Sequence, residues 1–280
     1  MAEISAAQIA KLRQQTGAGF MDCKKALAEN DGNVETALDW LRKKGTATAE
    51  KKSTRATTEG VIARSLAADG KSGTLVEINC ETDFVAKNDK FLEFCDEVAD
   101  AYAADSSADL EEKRTAAVAE IGENIKFARQ QSLTIEGNGA VAAYIHQGAK
   151  VGVLVAVETG KAETAGAEAF KQLLSDITLQ IAAASPTAVD RDSIDPTIVE
   201  KEKEIAAEQF KDKPAQAIEK IVTGKIEKYF AEVCLVDQDF VKASGDEAVK
   251  DHIAEVAKEL DDSVTVKTFL RFQVGETQED

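Results

Sequence analysis

The chain is poorly supplied with the side chains that break and make bonds. It carries only two histidines, His146 and His252, so most His-based triads and metal sites are excluded by count. Its four cysteines, Cys23, Cys80, Cys95 and Cys234, are scattered and never form C-x-x-C. Neither a disulfide framework nor a zinc site is expected, and a reducing cytoplasm is. Gly70-Lys71-Ser72 ends like a phosphate loop, but position 65 is Ser65, so the G-x-x-x-x-G-K pattern fails and nucleotide hydrolysis is not expected. No catalytic residues, cofactor or metal are assigned.

What remains is recognition, and the stretch best suited to it is Asn79-Cys80-Glu81-Thr82-Asp83-Phe84-Val85. The run Thr74-Leu75-Val76-Glu77-Ile78 reads as a strand leading in, and a helical pattern from Asn88 leads out. Thr82, Asp83, Phe84 and Val85 then occupy a strand-to-helix turn, where two rigid elements hold a short exposed loop. Two readings are open. Asp83 could satisfy backbone N–H groups of the turn while Phe84 returns to the core. Alternatively, Phe84 points outward into a partner's pocket and Asp83 fixes its approach.

Around this stretch the chain must build a positioning frame, and 280 residues suffice for two or three domains. A hydrophobic fraction of 44% with 30% charged residues suits a soluble globular protein. There is no run of 18 apolar residues, so no membrane span is expected. Met1-Ala2-Glu3-Ile4-Ser5 has neither a signal nor a transit pattern. The net charge of −17 is unevenly placed: residues 1–59 sum to +2 and the remainder to −19. An acidic body repels phosphate backbones, so no direct nucleic-acid contact is expected.

Residues 1–45 read as three short helices. Ile4, Ile9 and Leu12 mark the first, and Gly17 and Gly19 permit the turn after it. The second runs from about Phe20 through Leu27. Asn33 is a good cap for the third, with Val34, Ala37, Leu38 and Leu41 on one face and Trp40 beside them. The segment Gly32-Asn33-Val34-Glu35-Thr36-Ala37-Leu38-Asp39-Trp40-Leu41 resembles the ubiquitin-associated fold, a protein-docking module. Residues 43–59 contain no apolar side chain larger than alanine, and 46–58 read as a linker, part of it with helical character.

From Glu59 two halves echo each other. Leu75-Val76-Glu77-Ile78 matches Leu154-Val155-Ala156-Val157, and Phe91, Phe94, Cys95, Val98 and Tyr102 match Phe170, Leu173, Leu174, Ile177 and Ile181, every pair 79 residues apart. Both helical sets follow i, i+3, i+4, i+7, i+11, the stripe of one face. In the first half Ile125, Phe127, Leu133 and Ile135 are expected on one face of a closing strand. In the second, Val264, Val266, Leu270, Phe272 and Val274 alternate in the corresponding strand. The expected fold is α+β, a β-β-α-α-β unit used twice: 59–138, then 139–185 with 235–280.

Residues 186–234 interrupt the second half as an antiparallel helical hairpin, with Pro196 as a first helical residue. Ile198, Val199 and Ile205 line one helix and Ile218, Ile221, Val222, Tyr229 and Val233 the next. That stripe either closes internally or offers a face for self-association. The second half carries Gly160-Lys161-Ala162-Glu163-Thr164 where the first carries Glu81-Thr82-Asp83-Phe84-Val85. Core packing therefore does not require Phe84, which favours the outward reading.

Together these pieces resemble the bacterial elongation factor Ts family. The most specific parts are Leu12-Arg13-Gln14-Gln15-Thr16-Gly17-Ala18-Gly19-Phe20-Met21-Asp22-Cys23-Lys24-Lys25-Ala26-Leu27 and Asn79-Cys80-Glu81-Thr82-Asp83-Phe84-Val85-Ala86-Lys87. Tyr144-Ile145-His146-Gln147-Gly148, Gly152-Val153-Leu154-Val155 and Arg271-Phe272-Gln273-Val274-Gly275 support them. The resemblance implies a guanine-nucleotide exchange factor, not an enzyme, acting on the GTPase elongation factor Tu in translation elongation. It implies that Thr82, Asp83, Phe84 and Val85 dislodge Mg²⁺ from that partner. It implies further contacts at Arg13 and Met21 in the front module, and at His146 and Gly148 against another partner domain. Phe20 stands where the family motif usually has Met. The chain ends six residues after Val274, where family members often carry a further helix that grips the GTPase. That contact is expected to be missing.

Overall fold

The front helices begin and end where their local chemistry says they should. In the computed structural model, which describes residues 4–276, α1 (Ala6–Thr16) starts at a reciprocal cap. The Ser5 hydroxyl accepts from the Gln8 N–H at 3.2 Å, and the Gln8 side chain accepts from the Ser5 N–H at 3.0 Å. The helix stops at Gly17, which takes a φ of +66° and donates its N–H to the Arg13 carbonyl. α2 (Phe20–Glu29) and α3 (Val34–Lys52) follow, and Asn33 Oδ1 caps α3 by accepting from the Glu35 and Thr36 N–H groups. Ile9, Leu12, Cys23, Ala26, Leu27 and Ala37 form the core between these helices.

The linker expected at 46–58 is shorter in the structure. α3 runs on to Lys52, so residues 46–52 are helical. Their small side chains do not preclude packing; they enable it. Gly45 and Ala49 are buried, and Gly45 lies against Thr115 and Ala119 of a helix from the following body. Residues 1–3 and 277–280, at the ends of the first and last expected units, lie outside the described residues.

The body is α+β. β1 (Glu59–Leu66) and β2 (Ser72–Cys80) lead through a one-turn helix α4 (Asp83–Ala86) to α5 (Asp89–Ala104), α6 (Glu111–Ile121) and β3 (Lys126–Thr134). β4 (Gly139–Ile145) and β5 (Val151–Thr159) are followed by α7 (Glu168–Ala184), the helices α8 (Pro196–Gln209) and α9 (Ala215–Val233), α10 (Val249–Glu259) and β6 (Val264–Gln273). The strands form two antiparallel sheets, ordered β1-β2-β3 and β4-β5-β6.

The two sheets pack face to face. Ile62, Leu75, Val141, Leu154 and Phe272 meet in the seam between them. On the outside of the first sheet Val61, Val76 and Ile78 pack against Phe91, Cys95 and Val98 of α5. On the outside of the second Val153, Val155 and Val157 pack against Phe170, Leu173 and Ile177 of α7, with Ile253 and Val256 of α10. The central strands β2 and β5 are thus covered on both faces, which is why they read as nearly unbroken apolar runs.

The single-face assignment for the closing strands is corrected by two bulges. The register of β3 shifts opposite Glu77 and Ile78, and that of β6 shifts opposite Ala156 and Val157. A bulge adds one residue and reverses which side chains face which side. Ile125 and Phe127 therefore join the helix-side core, while Leu133 and Ile135 join the seam. Likewise Val264 and Val266 face the helices, and Leu270, Phe272 and Val274 face the seam.

The helical hairpin also differs in its contact face. Ala206 and Ile226 are buried, whereas Ile198 and Ile205, expected to line the stripe of α8, are exposed. The contact of α8 lies one residue further round, where Ala206 is small enough to admit the neighbouring helix.

Glu77 is the most deeply buried acidic residue among the described residues. The Glu77 carboxylate has no exposed side-chain surface and accepts from Arg129 Nε at 2.8 Å, from Asn79 Nδ2 at 3.1 Å and from the Gly275 N–H at 2.9 Å. Arg129 also donates to the Gln273 carbonyl and stacks on Phe272, 4.0 Å from its centroid, so the clasp ties one sheet to the other. Removing one partner of a buried pair leaves an uncompensated charge, so Arg129→Ala should destabilise the chain by about 3–5 kcal/mol in urea unfolding. Gly139→Ala should also be costly, because φ is +126° there and an added Cβ would meet the Val157 carbonyl and lie 2.9 Å from Glu158 Cα. A loss of about 1–3 kcal/mol in the same measurement is expected.

Candidate functional site

The stretch after β2 is not an irregular loop, as the sequence reading had it, but a capped helical turn. Thr82 is extended, with φ −128°, and its Oγ1 accepts from the Val85 N–H at 3.3 Å. The same hydroxyl donates to Glu123 Oε1 at 2.6 Å. The other Glu123 oxygen accepts from the backbone N–H groups of Glu81 and Thr82, both at 3.0 Å. Glu81 returns the tie: its Oε1 accepts from the Asn124 N–H at 2.6 Å and lies 3.4 Å from the Arg55 guanidinium. Burial, with the Glu123 carboxylate adding to it, pushes the Cys80 thiol up to about 12. The thiol therefore keeps its proton, the one it needs to donate to the Thr82 carbonyl at 3.3 Å.

This geometry separates the two readings of Phe84. Val85 and Ala86 turn inward against the α5-side core. Phe84 points out and is 82% exposed, the most exposed large apolar side chain among the described residues. That exposure overturns the inward reading, and Thr82, not Asp83, caps the turn. Asp83 is half-exposed and pairs with Lys87 at 2.7 Å. That hydrogen bond holds its carboxyl below the usual range.

The other singled-out residues surround this corner. Phe20 is 49% and Met21 69% exposed at the start of α2, and Arg13 is exposed on α1. Arg13, Gly17 and Phe20 line one shallow depression with Lys90, in the first turn of α5. Its wall thus joins the front helices to the element that follows the Phe84 turn. His146 and Gly148 lie exposed in the turn between β4 and β5, with His146 Nδ1 2.9 Å from the Tyr144 hydroxyl. The Ala149 carbonyl of that turn accepts from the Ile62 N–H, and Lys150 Nζ donates to the Gly60 carbonyl. Gly60 pairs with Asn79 at the end of β2, so this turn stands at the same end of the sandwich as the corner.

The sequence reading missed Glu123 and Asn124. Both are distant in sequence from the turn they hold, and no local pattern connects them. It also discounted metal sites by histidine count, yet Glu247, His252 and Glu255 bring their ligand atoms within 4.8 Å of one another. Nothing beyond that proximity points to an ion. Among the described residues no helix is long and apolar enough to cross a membrane. All four cysteines are buried and free.

The family model described as "Elongation factor TS" matches residues 81–276. The chain is 44% identical to elongation factor Ts of Trichlorobacter lovleyi, over 98% of this chain and 93% of that protein. It is 42% identical to that of Nautilia profundicola, over 99% and 94%, and 38% identical to that of Nitratidesulfovibrio vulgaris, over 98% and 96%. A match running from the corner through the second sheet, together with relatives alike over nearly their whole length, shows that the chain belongs to the elongation factor Ts family.

Proposed function

We propose that the chain is the guanine-nucleotide exchange factor of elongation factor Tu, acting in the cytoplasm by binding and not by covalent catalysis. The observation that carries this reading is the outward Phe84 ring on a capped, anchored turn, in a chain of this family. In this mechanism Thr82 and Val85 hold the turn, Asp83 fixes its approach, and the ring enters the partner near its Mg²⁺. Mg²⁺ demands near-ideal octahedral geometry, so a small displacement of its surroundings releases it. The nucleotide phosphates then lose their counter-charge.

The magnitudes limit what the ring does alone. A nucleotide held at nanomolar affinity corresponds to about 12 kcal/mol. Burying one phenyl ring contributes about 2–3 kcal/mol. The remainder must come from surfaces that fit the nucleotide-free partner better than the loaded one. Arg13, Phe20 and Met21 on one side of the corner, and His146 and Gly148 on the other, are the surfaces proposed. The coupling is reciprocal, so nucleotide rebinding weakens this chain's grip and frees it. The strongly acidic body, −19 beyond residue 59, disfavours approach to nucleic acid and leaves a protein as the partner.

Release of fluorescent GDP from elongation factor Tu, titrated with this protein, tests the reading. Phe84→Ala should slow the maximal release by at least about tenfold, since the ring is exposed in the free chain and its loss falls on the complex. Its melting temperature should match wild type. Asp83→Ala should change the rate by less than about threefold, because an exposed pair with Lys87 contributes little. Arg13→Ala with Met21→Ala should raise the half-saturating concentration while leaving the maximal rate near wild type. Release at the wild-type rate by a folded Phe84→Ala protein would overturn the wedge. No acceleration by the wild-type chain would leave only a passive binding module.

A further inference from the structure

A ring can displace a neighbour's groups only if its own support resists the push. α4 is a single turn and cannot hold its shape alone. Val85 and Ala86 provide an apolar seat, and the polar restraint comes from Gly122-Glu123-Asn124, which follow α6 directly. We infer that Glu123 is the positioning residue of the exchange site, holding the turn that presents Phe84. The inference rests on the exchange role proposed above for that ring.

The chemistry around Glu123 calls for a carboxylate. Three groups face it: two backbone N–H groups and the Thr82 hydroxyl. The hydroxyl oxygen is already accepting from the Val85 N–H, so its proton is free to point at Glu123. All three are therefore donors, and they divide between the two carboxylate oxygens. A glutamine could keep its oxygen on the two N–H groups, but its NH₂ would then have to donate to the Thr82 hydroxyl, which would give up its own donation, and the charge that strengthens all three bonds would be lost. The anchor itself is held. Asn124 is fully buried and donates Nδ2 to the Arg55 carbonyl at 2.9 Å and to the Ser53 carbonyl at 3.3 Å. The Gly122 carbonyl accepts from Lys52 Nζ. The restraint on the ring is thus transmitted from the end of α3 and from the body, not from the turn's own sequence.

The test is a cycle of variants of the full chain, read by fluorescent GDP release from elongation factor Tu with thermal melting in parallel. Glu123→Gln is expected to keep the fold. It should lower the maximal release rate about tenfold, as a displaced wedge would, with the half-saturating concentration nearly unchanged. The double variant Phe84→Ala/Glu123→Gln should be no slower than Phe84→Ala alone, because a support has nothing to position once the ring is gone. Glu123→Asp, which keeps both oxygens on a shorter stem, should recover part of the rate. The inference is overturned if Glu123→Gln matches wild type while Phe84→Ala is slow, or if the two effects multiply. It is also overturned if Glu123→Gln fails to fold, since the residue would then serve the whole body. If Phe84→Ala itself releases GDP at the wild-type rate, the wedge reading fails instead, whatever Glu123→Gln does.

Discussion

The apolar seam between the two sheets is the constraint from which the rest follows. Ile62, Leu75, Val141, Leu154 and Phe272 can leave water only if the inner faces of both sheets meet. Once they meet, the outer faces need their own cover, which α5 supplies on one side and α7 with α10 on the other. At about 1.5–3 kcal/mol per fully buried large side chain, these three layers of contact outweigh any single surface feature. Within the sandwich, strand ends and the turns beyond them are then where exposed recognition groups can stand. The Phe84 turn leaves the end of β2, and the His146 turn joins β4 to β5 at the same end.

An exposed phenyl ring is a liability that the corner manages by division of labour. Three consecutive residues behave differently: Phe84 faces solvent, while Val85 and Ala86 face the core. A longer helix would place such neighbours by its own hydrogen bonds. A single turn cannot, so the Glu123 carboxylate and the Thr82 hydroxyl take over the backbone groups that a helix interior would satisfy. The cost of holding a carboxylate here is offset by three donors and by the positive end of the turn.

Much of this was legible in residue spacing, and the limits have physical causes. The helical stripes of α5 and α7, the cap at Asn33 and Pro196 as a first helical residue are local patterns, and the structure places them as read. Phe84 was legible as a choice between two states; spacing alone does not report which way a side chain turns. The bulges in β3 and β6 were not legible, because strict alternation looks the same on either side of an inserted residue. How far α3 extends into the expected linker was not legible, because small residues suggest a spacer until a partner helix is there to pack on them. Glu123 was missed because its role exists only across a separation of some 40 residues, from the corner to the turn before β3.

The distribution of exposed apolar groups bears on how the chain would let go of a partner. Phe20, Met21 and Phe84 stand apart on separate elements, the first two at the start of α2 and the third after β2. Each contributes binding only when the partner adopts a shape that meets all of them at once. An exchange factor needs this arrangement: its total affinity should depend steeply on the partner's conformation, so that a change at one contact loosens the others. A single large patch would bind every state of the partner alike and could shift none of them. Rigid placement of small, separated contacts is therefore the functional product of the buried seam, and the clamp at Glu123 is its last link to the ring.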